Sequence, residues 1–533
     1  MNIPERNLKE SLPEYAERLS EIYSANYNSN LRKGRGQIFT PIKISSFMAD
    51  LFDSFENQIN LLDPGAGTGI LIAAVCEKIL TENKNISLTI DAYENDSNLL
   101  PYLTKTLEEC KKELEKGNFD VKYNIYNEDF ILSNEAYFNN AYFHKNILKI
   151  PEKQYDIVIS NPPYFKLRKD SSHSKAMSQI IYGQPNIYAL FMAMATSLTK
   201  STGKLVFIIP RSFCSGLYYK KFRKWFLDQI SIESIHIFES RKEIFEKDQI
   251  LQENIILKGK KNGQEKNQVK ISVSKNTNFN NMDIFETSYS NIVYNKNDEI
   301  FIRIPSSITD SKLLEIMDSW PKILKDLNLK ISTGPVVPFR SKQILIDQIT
   351  DFPESVPLLW MHNIQNMKVV WPRAKNKKES AIISDKRSKK ILTPVKNYVL
   401  INRFSSKEQN RRLYSGVLLK SDFPYEFVGI ENHLNYIYRP NGELNEFEAF
   451  GIAALLNTRL VDKFFRSING NTQVNATEIR ILPLPDIETI KKIGKKVLSD
   501  DEIDLDKLVI EIIGISNFTN FKNINILKAL EVN

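Results

Sequence analysis

The sequence predicts an α/β fold: a doubly wound, mostly parallel sheet, followed by a separate C-terminal α+β domain. Three observations carry this. Strand-like apolar runs alternate with helix-like segments from residue 60 to about 260. The first of those runs ends in a glycine-rich turn, Asp63-Pro64-Gly65-Ala66-Gly67-Thr68-Gly69. Beyond Pro335 the alternation gives way to short strands, many aromatics and basic clusters.

The elements follow in chain order. Leu12, Tyr15, Leu19, Ile22 and Tyr23 recur at helical spacing and predict a helical prelude over residues 1–33. The turn Arg35-Gly36-Gln37-Ile38-Phe39-Thr40-Pro41 leads into an amphipathic helix bearing Ile44, Phe47, Met48, Leu51 and Phe52. Strands are expected at Leu61-Leu62, Leu88–Tyr93, Val121–Tyr126, Tyr155–Ser160, Leu205–Ile209, Ser234–Phe238 and Asn254–Leu257. Helices are expected over Ile70–Leu80 and Ser97–Lys116. The polar run 258–266 reads as a solvated turn, a hairpin or the start of a linker. From about 488 the tail reads as helices, with Leu505, Leu508, Val509, Ile512 and Ile513 on one face.

Bulk properties narrow the class. A chain of 533 residues exceeds one core, so two or three domains are expected. Hydrophobic content of 42% and charged content of 26% fit a soluble globular protein. No apolar run approaches the roughly 18 residues of a membrane span, and the N-terminus lacks a secretory signal. Cys76, Cys110 and Cys214 form no CxxC pair, and His144, His173, His236, His362 and His433 are scattered. Neither a disulfide framework nor a metal centre is expected, and the reducing cytoplasm is the expected compartment. A formal charge of +8 favours a polyanionic partner.

The glycine-rich turn is where a backbone must bend sharply and approach a ligand closely, at Gly65, Gly67 and Gly69. Asp63 sits at its start, placed to meet a cationic group. Glu94 ends the next expected strand, where a carboxylate can accept from ribose hydroxyls. Asp129 ends the third, placed to receive an adenine amino group. Each acid alone reads as a cap or loop residue; three at successive strand ends read as a nucleotide-like cofactor site. No phosphate-cradling lysine follows the glycines, which disfavours ATP.

The second motif is Asn161-Pro162-Pro163-Tyr164, closing the strand Tyr155–Ser160. An exocyclic amino nitrogen is a poor nucleophile because its lone pair is delocalised into the ring. A site that accepts both amino hydrogens lets that nitrogen pyramidalise. Asn161 offers a side-chain carbonyl, and Pro162 a backbone carbonyl held by locked φ angles. Tyr164 can stack on a base face. Such a corner suits methyl transfer to a planar, sp² nitrogen; without chemistry it is a strand-ending turn.

With both motifs in this order, the sequence resembles the γ-group, TaqI-like DNA adenine-N6 methyltransferases of bacterial restriction–modification systems. The resemblance implies a Rossmann-like methyltransferase sheet, S-adenosyl-L-methionine as cofactor and a flipped-out adenine in double-stranded DNA as target. Thr40 and Pro41 match the segment that closes over the cofactor's methionine part. Asp63, Gly65, Gly67, Gly69, Glu94 and Asp129 match the cofactor set, which Asn161 joins. Asn161, Pro162 and Tyr164 match the catalytic corner. Phe245, in Glu243-Ile244-Phe245, corresponds to the second aromatic that sandwiches the base, with Phe238 as the alternative. Asn457–Leu460, Asn469–Asn475 and Leu482–Pro485 resemble stretches of target-recognition domains.

The expected organisation is a prelude over 1–33, a catalytic domain over 34–305, a target-recognition domain over 306–487 and a helical tail over 488–533. Lys166, Arg168 and Lys169 follow the corner and are expected at DNA phosphates. Arg340, Arg373, Lys375, Arg411 and Arg412 are the corresponding residues of the C-terminal half. The resemblance also implies a separately encoded restriction endonuclease in the same system. The alternatives are a methyltransferase acting on an rRNA base or a protein glutamine, or a non-catalytic DNA-specificity subunit. A fused endonuclease finds no carboxylate–lysine cluster to support it.

Overall fold

The computed structural model describes residues 3–27, 36–82, 85–143, 154–240, 253–263, 268–296, 299–373, 378–405, 409–469, 473–500 and 502–514. Two compact units emerge, Met1–Ser307 and Ile308–Asn533.

The first unit is organised by nine strands: β1 (Gln58–Asp63), β2 (Ser87–Tyr93), β3 (Asp120–Tyr126), β4 (Tyr155–Ser160), β5 (Thr199–Pro210), β6 (Ile230–Phe238), β7 (Asn254–Lys261), β8 (Gln268–Ser274) and β9 (Asp283–Ser288). They form one sheet in the order β3-β2-β1-β4-β5-β7-β6-β8-β9. The first five strands pair in parallel. β7 runs antiparallel between β5 and β6. The order reverses at β1 and β4, so the carboxyl ends of these neighbours flank a crevice, the usual ligand position in such sheets. The α/β class read from the sequence is the one observed.

The central strands are near-continuous apolar runs because helices cover both faces. Leu61, Leu62, Val158, Ile159 and Leu205–Ile209 are buried. The helix Ile70–Ile79 starts at Gly69, whose φ of +86° is left-handed and suits glycine. The prelude helix, Leu12–Asn26, opens with a capping box between Ser11 and Glu14 and buries Tyr15, Leu19 and Tyr23. It packs into the first unit: Thr68 Oγ1 donates to Ala16 O at 3.1 Å, tying the helix to the glycine turn.

The polar run opens inside a strand and turns at Asn262; residues 264–267 lie outside the described residues. β7 continues to Lys261, and the chain then adds β8, parallel to β6, and β9 to the same sheet. Val269, Ile271 and Val273 alternate with polar residues and bury one face, a period-2 signal that the lysines around it obscure.

Among its described residues the second unit holds two sheets. One has six strands, ordered Lys330–Thr333, Leu434–Tyr438, Tyr398–Asn402, Ser415–Leu418, Lys368–Val369 and Ile364–Gln365. The other has five, ordered Leu345–Ile346, Ala381–Ile383, Ser355–Leu359, Phe427–Ile430 and Leu392–Pro394. Helices including Ile308–Asp318, Glu446–Leu456, Arg459–Ile468 and Ile487–Ser499 join them, so the unit is α+β. In the last described helix, Leu505–Ile513, only Leu508 and Val509 of the expected face are buried.

Candidate active site at the carboxyl ends of β1, β2 and β4

Asn161 follows the last residue of β4, and the two prolines after it cannot continue a ladder because they lack N–H groups. The chain turns out of the sheet here and is clasped by the segment before the helix Ile42–Asp50. Gly36 O accepts from Tyr164 N at 3.2 Å. Asn161 Nδ2 donates to Ile38 O at 3.1 Å and to Thr40 Oγ1 at 3.0 Å. Ile38 O can only accept, so the amide must present its nitrogen there and the carbonyl oxygen the other way. That oxygen, Oδ1, accepts from the Tyr164 hydroxyl at 2.7 Å. One of its two lone pairs is left for an incoming N–H.

Tyr164 is placed differently from the expectation of an open stacking platform. Its ring is 8% exposed and meets Tyr188 edge-on at 6.2 Å. Its single hydroxyl hydrogen is shared between two acceptors, Asn161 Oδ1 and Ile208 O, the latter 2.8 Å away on β5. Burial pushes the phenol pKa well up, so it stays a donor. Phe165, not Tyr164, lines the adjacent cavity.

That cavity, of about 420 Å³, brings the two sequence motifs together. Its wall includes Ile38, Phe39, Gly65, Gly67, Glu94, Asp129, Asn161 and Pro163. Thr40 and Asp63 lie behind it, the first supporting the corner and the second the turn, and Pro162 is buried at the corner itself.

The three acids occupy distinct environments. Asp63 is fully enclosed; Oδ1 accepts from Gly65 N at 3.2 Å, whereas Oδ2 has no hydrogen-bond partner. Burial raises its pKa to about 7, with the nearby Glu94 adding to the rise. Glu94 accepts from Gly67 N at 2.9 Å and Asp96 N at 2.8 Å, yet burial still raises it to about 7. Asp129 differs. Burial works against its charge, but hydrogen bonds from His173, Leu132 and Ile131 outweigh it and hold the carboxyl below its usual range. The Oδ2 atom of Asp63 is therefore free to pair with a ligand or a water. Burial thus favours the neutral form of both acids, and a positive charge placed beside them would favour the ionised form.

Sequence reasoning missed His173. Its Nε2 lies 2.8 Å from Asp129 Oδ2, and both residues line the cavity. A single histidine in a polar loop carries no motif, so only the fold reveals the pairing. Phe130, Ile187 and Phe191, part of the apolar wall, were equally hidden.

Residues 68–245 match the model of the Eco57I restriction–modification methylase family. The chain is 36% identical over 468 residues to the type II methyltransferase M.BsuBI of Bacillus subtilis, covering 88% of this chain and 91% of that one. It is 33% identical over 479 residues to the type II methyltransferase M.PstI of Providencia stuartii, covering 90% and 92%. The chain belongs to the type II DNA methyltransferases of restriction–modification systems. Among solved structures it is similar to the type IIL restriction–modification enzyme MmeI in complex with DNA, at 12% identity and a TM-score of 0.49, covering 97% of this chain and 75% of that one.

In this methyltransferase the basic residues read from the sequence fall into different settings. Lys166, Arg168 and Lys169 are exposed beside the corner. Arg340 is exposed, its guanidinium over the Phe339 ring at 5.2 Å. Arg373 is exposed, with Nη1 donating to His362 O at 2.6 Å. Arg411 is half-buried and donates to Asn457 O at 2.5 Å. Arg412 contradicts the expectation of a phosphate contact: it is 1% exposed, and its guanidinium donates to Ser405 Oγ and Asn469 Oδ1, both at 3.0 Å. A phosphate cannot reach it. Phe245 and Lys375 lie outside the described residues. Phe238, the alternative clamp, is 4% exposed and packs on His236 and Phe279 as core.

Proposed function

We propose that this DNA methyltransferase moves a methyl group from S-adenosyl-L-methionine to N6 of an adenine flipped out of duplex DNA. Its product would shield the DNA of a bacterial host from a separately encoded endonuclease of the same system, in the cytoplasm. The observation that carries this reading is the fixed Asn161 amide, whose Oδ1 keeps one lone pair beside a cavity walled by the cofactor motif.

The residues fit the cofactor. The unpartnered Oδ2 of Asp63 and the raised carboxyls of Asp63 and Glu94 suit a ligand bearing positive charge and hydroxyls. Asp63, Glu94, Asp129 and the Phe39-Thr40-Pro41 segment would hold it. When bound it supplies an electrophilic methyl group. Asn161 Oδ1 and the Pro162 carbonyl accept the two amino hydrogens, so the nitrogen lone pair leaves conjugation and faces the methyl. Tyr164 holds Oδ1 in direction, and Phe165 is the aromatic of the corner that lines the cavity. An extruded base costs a few kcal/mol of lost stacking, which pocket contacts offset. Fixed orientation then does most of the work.

The test is transfer from radiolabelled S-adenosyl-L-methionine to unmethylated duplex DNA, followed by nucleoside analysis. Label in N6-methyladenine is expected; label in another nucleoside, or in protein or rRNA only, would overturn the reading. Asn161→Ala should lower kcat at least about a hundredfold, on the scale of one lost transition-state acceptor, with cofactor binding weakened only severalfold.

A further inference from the structure

The corner is followed by an excursion that leaves and returns through one neck. Leu167 N donates to Pro185 O at 2.9 Å and Ile187 N to Phe165 O at 3.0 Å. Lys166 and Asn186 form an antiparallel bridge there. Lys166, Arg168 and Lys169 stand exposed on this excursion. Its short helix Ser172–Ala176 carries His173, which reaches back to Asp129.

Asp129 has little capacity left. Oδ1 accepts from Ile131 N and Leu132 N, both at 3.0 Å, and caps the helix that begins at Phe130. Oδ2 accepts His173 Nε2 at 2.8 Å and keeps one further acceptor position. On the cofactor reading above, the cofactor's adenine amino group would pair with that same oxygen. Two N–H donors on one carboxylate oxygen restrict its rotation, and each fixes the geometry for the other. The excursion has further anchors besides this contact. Gln179 Nε2 also donates to Asn139 Oδ1 at 2.6 Å, and Tyr182 lies against Tyr218.

We propose that His173 is a positioning residue that couples cofactor binding to DNA binding. Through Asp129 Oδ2 it sets the basic excursion relative to the occupied cofactor cavity. The inference rests on the cofactor reading above. Linkage then requires that DNA and cofactor tighten each other's binding by the same factor.

The experiment measures the Kd of S-adenosylhomocysteine, which cannot react, with and without saturating unmethylated plasmid DNA. In the unaltered protein DNA should tighten binding about fivefold or more, the ordinary lower range of such couplings. His173→Ala should reduce that factor to within about twofold of unity, with an unchanged circular dichroism spectrum and melting temperature. His173→Gln, which retains an N–H donor, should restore part of the coupling. Full coupling in His173→Ala, or no coupling in the unaltered protein, would overturn the proposal alone. Absence of any S-adenosylhomocysteine binding by the unaltered protein would overturn the cofactor reading and the proposal with it.

Discussion

Thr40 Oγ1 accepts a hydrogen bond from Asn161 Nδ2 at 3.0 Å, joining two residues 121 positions apart. This contact ties the Thr-Pro segment to the distant Asn-Pro-Pro-Tyr corner. The first motif orients the second. Nδ2 has its two hydrogens on Thr40 and Ile38, so rotating the amide would leave buried donors and acceptors unpaired.

Thr40→Val therefore removes the acceptor while nearly conserving shape. A buried donor left unsatisfied costs about 1–3 kcal/mol, and part of that falls on the transition state. We expect kcat to fall about tenfold, or ~1.4 kcal/mol, with Thr40→Ser close to the unaltered rate. Single-turnover kinetics with saturating cofactor and DNA would check it. An unchanged rate in Thr40→Val would mean that the Asn161 amide needs no such guide.

Gly36 makes a second demand on the same clasp. Its φ is +62°, and an added Cβ would lie 2.8 Å from Tyr164 N. That neighbour is backbone and cannot step aside, so Gly36→Ala must push the clasp off the corner. Left-handed backbone at a non-glycine residue alone costs about 1–2 kcal/mol. The expected result is a drop in kcat of about tenfold or more, with a fall in melting temperature of only a few degrees. A variant with normal kcat would show that the clasp tolerates displacement.

The buried acids predict a pH dependence with a definite sign. Asp63 and Glu94 have ordinary pKa values of 3.8 and 4.5, and in the folded protein both sit at about 7. Between roughly pH 4 and 7 the folded state therefore holds more protons than the unfolded one. Their contribution to stability is full below the ordinary values and is lost as pH rises through about 7. A cationic ligand favours the ionised forms, so its binding releases protons and strengthens over the same range. Calorimetric titration with S-adenosylhomocysteine should show affinity rising from pH 5.5 to 8, with proton release that Glu94→Gln diminishes. Affinity falling with pH would contradict the raised carboxyls.

Much of the fold and of the site is legible in the sequence. Period-2 and apolar runs locate β1 to β7 because central parallel strands are apolar on both faces, and punctuation at Gly69 and Pro162 marks their ends. The acids at the strand ends stand out because the fold places ligands there. What stays hidden depends on distance in space. His173 meets Asp129 across 44 residues without a motif, and Tyr164 turns its hydroxyl inward onto Asn161 although its sequence context reads as an open ring. Charge is the poorest guide: Arg411 and Arg412 are adjacent and identical in type, yet one is half-buried and the other enclosed.

The enclosed arginine should behave as a structural residue. Arg412 fills a closed polar pocket, donating to Ser405 and Asn469, with its guanidinium 5.8 Å from the Phe465 ring centre. Removing it leaves those acceptors unpaired and a void behind, so Arg412→Ala should lower stability by about 3 kcal/mol or more. Urea denaturation would register this as a shifted midpoint. Arg168→Ala, at an exposed position beside the corner, should leave the midpoint unchanged. Instead it should weaken DNA binding on all sequences alike and reduce the log–log salt slope by about one, as loss of one phosphate contact does. If Arg412→Ala instead kept full stability and changed the salt slope, its guanidinium would have to leave its pocket to meet DNA. Burial at 1% exposure and two side-chain acceptors at 3.0 Å argue for the structural outcome.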